Sequence, residues 1–183
     1  MLEKILIKKS RHSQIWVETA IYTLIGLTII AILLSVAVPQ VDKIKDKGII
    51  LQTENALNEL NRKILETTET PGNVRIIYLK LAKGRLEINS ENNSIDYVLE
   101  NTRLKLSEVG EKINEGDLIL ETKKSGDRYK IFISMDYNNK INLTSKLNKK
   151  NVILQPGSTP YMLNIVNKGY LGDNKPNIDI ILG

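Results

Sequence analysis

The sequence has no cysteine, so no disulfide framework supports the fold and thiolate chemistry is excluded. Its single histidine, His12, lies near the start. The body of the chain therefore lacks the commonest general base and the commonest zinc ligands. No GxGxxG and no Walker-type glycine loop is present, so the familiar dinucleotide and phosphate cradles are missing too. Asp136-Tyr137-Asn138 begins like a calcium loop, but Ile141 stands where that loop needs Gly and Leu147 where it needs Glu. The cluster Asp173, Asn174, Asn177 and Asp179 reads as a solvated turn rather than a cation site. A two-carboxylate hydrolase leaves no local signature, yet nothing in the sequence points to one. The expectation is a non-enzymatic protein with no cofactor and no metal.

A dense cationic face is lacking as well. The net charge is +5 over 183 residues, but part of it is local. Lys4, Lys8, Lys9 and Arg11 precede the main apolar run, against only Glu3, and without that segment the net charge is +2. Nucleic acid needs a basic stripe, so it is not an expected partner. The N-terminal bases read instead as a topogenic signal that keeps the N-terminus in the cytoplasm.

What the chain has is one long uncharged run, Thr19 to Val38. About 20 such residues span a bilayer core as a helix. Helix is the only single-segment solution there, because each backbone polar group must be paired internally. A soluble core helix of this length would show a polar face, and this one has none. A cleaved secretory signal is the rival, since Ser35-Val36-Ala37 has a small-x-small form. The apolar stretch is longer than such signals, however, and helical patterning continues past the cut. Val41, Ile44, Gly48, Leu51 and Asn55 follow one stripe, and Leu57, Leu60 and Ile64 extend an apolar face.

Glu18 stands immediately before the run. By position alone it is either an interfacial carboxylate reaching headgroup water or half of a charge pair. The stretch Arg11-His12-Ser13, then QIWVE, then the apolar run resembles the class III signal of type IV pilins and their archaeal relatives. The resemblance covers about the first 60 residues. Bacterial members carry Gly before the cut and Phe after it; Ser13 and Gln14 here point to the archaeal branch. The resemblance implies that a prepilin peptidase removes a basic leader, residues 1–13, between Ser13 and Gln14. It implies that Glu18 then stands fifth and meets the N-terminal amine of a neighbouring subunit, each group lowering the other's burial cost. It further implies a homo-oligomeric surface filament built by a pilus assembly machinery. Small residues such as Gly26 and Ala31 would permit close approach of helices.

Beyond the span, Pro39 is expected to kink rather than end the helix. Helix formers run on over 40–70, so one long helix over 14–70 is predicted, with Glu59 supporting it through Lys63. Its C-terminal half should dock on the domain that follows, and Pro71-Gly72 should stop it. From residue 73 to 183 the period changes to two, which predicts a β-rich domain, expected to be extracellular because the N-terminal bases stay inside. Two hairpins are expected, one around Lys83-Gly84 and one around Lys124-Ser125-Gly126-Asp127. Asn92-Asn93 and Asn138-Asn139 mark further turns, with positive φ tolerated at Asn. Leu104 to Ile113 is ambiguous between strand and helical insert. Eight or nine short strands suit an antiparallel β-sandwich, so the fold class is α+β. Asn92 and Asn142 head sequons near expected turns and are candidate glycosylation sites, although an Asn-rich chain also produces such triplets by chance.

Three functions remain open on the sequence. A filament subunit accounts for the leader, Glu18 and the long helix. A single-pass, membrane-anchored cell-surface protein with a β-sandwich binding domain accounts for all but the fifth-position acid. A secreted enzyme or binding protein would require cleavage at Ala37.

Overall fold

The computed structural model describes residues 11–145, 151–170 and 174–183, with side chains from Ile15 onward. Most of the leader therefore lies outside the described residues. Among the described residues, one helix, α1 (Arg11–Thr68), is followed by ten strands. These are β1 (Val74–Leu79), β2 (Arg85–Asn89), β3 (Ser94–Thr102), β4 (Lys112–Glu115), β5 (Leu118–Ser125), β6 (Arg128–Asp136), β7 (Asn142–Ser145), β8 (Val152–Leu154), β9 (Tyr161–Tyr170) and β10 (Pro176–Leu182). The α+β expectation holds. The chain divides into two compact units, Met1–Val41 and Asp42–Gly183.

The second unit holds two sheets. One has the order β1-β9-β10-β7 and the other β4-β5-β6-β3-β2-β8. Pairing is antiparallel except between β7 and β10, which run parallel. Alternate residues of β2, β6 and β9 point inward. They join one apolar core that takes residues from both sheets, among them Leu86, Ile95, Ile131, Ile133, Leu163 and Ile178. The C-terminal half of α1 completes that core with Ile50, Leu57, Leu60 and Ile64, each at most 1% exposed. The expected docking of this half is therefore observed.

Only one of the two apolar stripes of α1 is used. At about 100° per residue, Ile44, Gly48, Leu51 and Asn55 lie opposite Ile50, Leu57 and Ile64. Ile44 and Leu51 are 71% and 51% exposed. On the core side, polar bonds fix where the helix sits. Asp46 accepts from Lys83 Nζ at 2.6 Å and from Thr102 Oγ1 at 2.5 Å. Asn61 accepts from the buried Tyr137 hydroxyl at 2.8 Å and donates to Asp117 at 2.9 Å. Asn167 donates to the carbonyls of Thr67 and Thr68, two of the acceptors that a helix end leaves without partners. The helix runs through Pro39, which has no N–H to offer the carbonyl one turn back. Glu59 pairs with Arg62 rather than Lys63, and Arg62 also meets Glu66.

Several expectations need correction. The segments around Lys83-Gly84 are not a hairpin: β1 pairs with β9, whereas β2 pairs with β3 and β8 in the other sheet. Gly84, at φ 74, serves a close approach, since a Cβ there would lie 2.6 Å from the Tyr97 hydroxyl and 2.7 Å from the Val98 carbonyl oxygen. Asn138-Asn139 does turn the chain, but between sheets and without positive φ. The β5–β6 hairpin is as expected. Gly126 carries the positive φ and Asp127 does not, the pattern of a type II′ turn. Asn93, at φ 47, turns β2 into β3. The ambiguous segment makes one isolated bridge, Val109 to Thr122, and then enters β4, which adds to the strand count.

Candidate functional site

The unusual chemistry of this chain lies in the first unit. From Ile15 to Val38 the large apolar side chains are all exposed, Trp16 at 75% and Tyr22 at 67%. The most apolar 18-residue window of the helix has none of its residues buried, so composition and length mark one candidate membrane span. Twenty residues from Thr19 to Val38 rise about 30 Å as a helix, the thickness of a bilayer hydrocarbon core.

The Thr and Ser hydroxyls inside this run are handled locally. Thr19 Oγ1 donates to the Ile15 carbonyl, Thr23 to Thr19 and Thr28 to Leu24, at 2.8–2.9 Å. Ser35 Oγ donates to the Ile32 carbonyl at 2.7 Å. Each hydroxyl thus enters an apolar environment with its donor already satisfied, which removes most of its desolvation cost. These bonds were not anticipated. The signal for them was available, because a Thr or Ser within a helix has a carbonyl one turn back.

The residues singled out from the sequence fall as follows. Ser13 and Gln14 lie on the first turns of α1, and their side chains lie outside the described residues. Glu18 is exposed. Gly26 has nothing within 4 Å of where a Cβ would stand, so its bare backbone is open to an approaching surface. Ala31 is also exposed. The three do not form one groove: Gly26 is about 80° around the helix from Glu18, and Ala31 about 140° farther on. Close approach at these positions would involve neighbours on more than one side.

Asn92 is exposed on the β2–β3 turn, next to the half-buried Asn93. Asn142 is not in a turn but opens β7, half-buried, paired in register with Asn177. Asp173 lies outside the described residues. Asn177 and Asp179 belong to β10 rather than to a solvated turn; Asp179 is fully buried and accepts from Thr144 Oγ1 at 3.0 Å. Asp136 accepts from the Asn138 N–H in a local turn. Among the described residues no three His, Cys, Asp or Glu side chains gather closely enough to hold a metal ion. Buried Asp46 was missed, because an Asp between lysines reads as solvent-facing.

No protein-family model, curated protein or solved structure matches this chain.

Proposed function

We propose that this chain is a structural subunit of a type IV pilus-like surface filament, held in the membrane by α1 before assembly and packed through the same helix afterwards. The observation that carries the reading is the helical segment Thr19–Val38, uncharged and without a buried residue, headed by a carboxylate five residues into the chain that would begin at Gln14. An anchor alone needs the apolar helix but gives Glu18 no task. In a bundle of such helices Glu18 would sit among apolar neighbours, and a cation at the same depth would be needed to offset its burial. The amine of a neighbouring Gln14 is the group that the resemblance suggests. The second unit carries its own core and so can ride on the outside of the bundle. The reading assigns the chain no catalytic step.

Head-to-tail contacts between identical subunits give a filament where the rotation between neighbours does not close into a ring. The test is Glu18→Gln, which keeps size and removes charge. Intact-mass and N-terminal analysis should show the variant inserted and starting at Gln14. Electron microscopy of sheared surface material should show few or no filaments, where the unmodified chain gives many. Abundant filaments from the variant would reject the pairing. Absence of filaments from the unmodified, correctly cleaved chain in its own host would favour a membrane-anchored surface protein.

A further inference from the structure

Lys43 follows the apolar run by five residues, and it does not stand alone. In the second unit, Lys43, Arg103, Leu104, Lys105 and Tyr129 line a pocket of about 340 Å³ with no carboxylate in its wall. The fold builds this juxtaposition. The β3–β6 register shifts between Leu99 and Thr102, with Asn101 at φ 57. The bulge turns Thr102 inward, where its hydroxyl bonds Asp46. Asp46 lies three residues after Lys43, on the neighbouring turn of α1. The residues directly after Thr102 are thereby held beside Lys43.

The cations are available for a ligand. Lys43 and Arg103 are in no ion pair among the described residues. Lys105 reaches Glu108 only at 4.0 Å and lies 5.4 Å from the centre of the Tyr129 ring. Chain connectivity keeps Lys43 near the end of the apolar run. Five residues span about 7.5 Å as helix and at most ~18 Å extended, while each headgroup layer is about 5–8 Å thick.

The geometry points to a site for the phosphodiester headgroup of an anionic lipid, formed by Lys43, Arg103 and Lys105 with Tyr129 at the water–lipid boundary. Tyr is at home at that depth, and Lys and Arg near an anionic surface gain from its potential. A nucleic acid would need a long basic stripe, which a single pocket flanked by Asp42 and Glu108 does not supply. The site rests on the membrane anchoring by α1 and not on filament assembly.

The test uses the full chain reconstituted in vesicles of phosphatidylcholine, with or without three-tenths phosphatidylglycerol. Hydrogen–deuterium exchange is followed over residues 101–106. Phosphatidylglycerol should slow exchange there at least fivefold, and high salt should restore it. Arg103→Gln with Lys105→Gln should abolish the difference, and so should Lys43→Gln on the other element. Lys168→Gln, in the other sheet, should leave it intact. Equal exchange in both vesicle types would overturn the site, as would full slowing in the variants. Slowing of detergent-solubilised protein by inorganic phosphate alone would assign the pocket to a free anion, and slowing by a DNA duplex to nucleic acid; either result overturns the lipid assignment. If the protein floats with neither vesicle, the anchoring itself fails and the site falls with it.

Discussion

Leu60 and Leu51 give a matched pair for testing how α1 divides its two faces. Both are leucines on the same helix, nine residues apart. Leu60 is fully buried in the core shared by the two sheets, whereas Leu51 is 51% exposed. Leu60→Ala removes three carbons from a packed interior and leaves a cavity, which costs about 2–5 kcal/mol. Alanine favours helix slightly more than leucine does, a gain too small to offset this. Leu51→Ala creates no cavity and should stay within about 0.5 kcal/mol of the parent. The fragment Asp42–Gly183 contains the whole core and lacks the apolar run, so it should fold as a soluble monomer and serve as host. With a urea m-value of about 2 kcal/mol per molar, Leu60→Ala should lower the unfolding midpoint by ~1–2.5 M. Leu51→Ala should shift it by less than about 0.3 M. Circular dichroism at a helix-sensitive wavelength reads both. Equal losses from the two variants would mean that the exposed stripe also packs inside the unit, and the assignment of faces would be wrong.

Three further outcomes follow from other parts of the chain. Gly84→Ala should destabilise the same fragment by at least about 2 kcal/mol, because it combines a positive φ with a Cβ inside contact distance of Tyr97; a neutral result would show that the Tyr97–Lys83 closure is loose. Burial pushes the Tyr97 phenol up to about 12 and raises that of Tyr137 as well, so the folded state holds protons that the unfolded state releases from about pH 10. Stability should therefore be complete below pH 10 and fall as pH rises toward 12, with Tyr97→Phe flattening the fall in pH-dependent urea melts; an unchanged slope would reject Tyr97 as its source. Ser13→Arg should block leader removal if the peptidase must accept a small side chain there, and intact-mass analysis showing a start at Gln14 for that variant would place the specificity elsewhere.

The helix and the switch to a two-residue period were legible because both are local signals: an uncharged run, a 3.6-residue stripe, then alternation. The β5–β6 and β2–β3 turns were legible for the same reason. The failures of strand pairing are all long-range. Lys83-Gly84 looks like a turn from either side, but Gly84 is there because Tyr97, thirteen residues on, packs where a side chain would be. The pairing of β1 with β9 joins residues more than eighty apart, and the parallel β7–β10 pair has no periodic signature of its own. The choice between two apolar stripes on α1 also could not be made from periodicity. Each stripe satisfies it, and only the sheets decide which is covered. Glu59 illustrates the point at small scale: Lys63 is well spaced, but Arg62 presents a fork that reaches both Glu59 and Glu66. For the candidate site, the apolar run was readable because lipid imposes composition. The pocket around Lys43 was not, because its members come from three separate stretches of chain.

The exposed stripe bears on how a subunit would be held after it leaves lipid. Ile44, Gly48 and Leu51 face away from the core that the rest of α1 completes, and they lie past the end of the uncharged run. A span that served only as an anchor would need no apolar surface at Leu51, thirteen residues and about 20 Å of helix past Val38 and beyond a headgroup layer. Isolated exposed apolar residues are common on proteins and carry no message singly. Here they recur at helical spacing on one side, with Gly48 between them, bare enough that nothing lies within 4 Å of an added Cβ. Such a row fits the packing of a second helix, where a glycine lets backbones approach. In the filament reading the contact between neighbouring helices then continues beyond the depth of the former span. That contact would compete with water rather than with lipid, so it would gain from apolar burial in a way the membrane segment cannot.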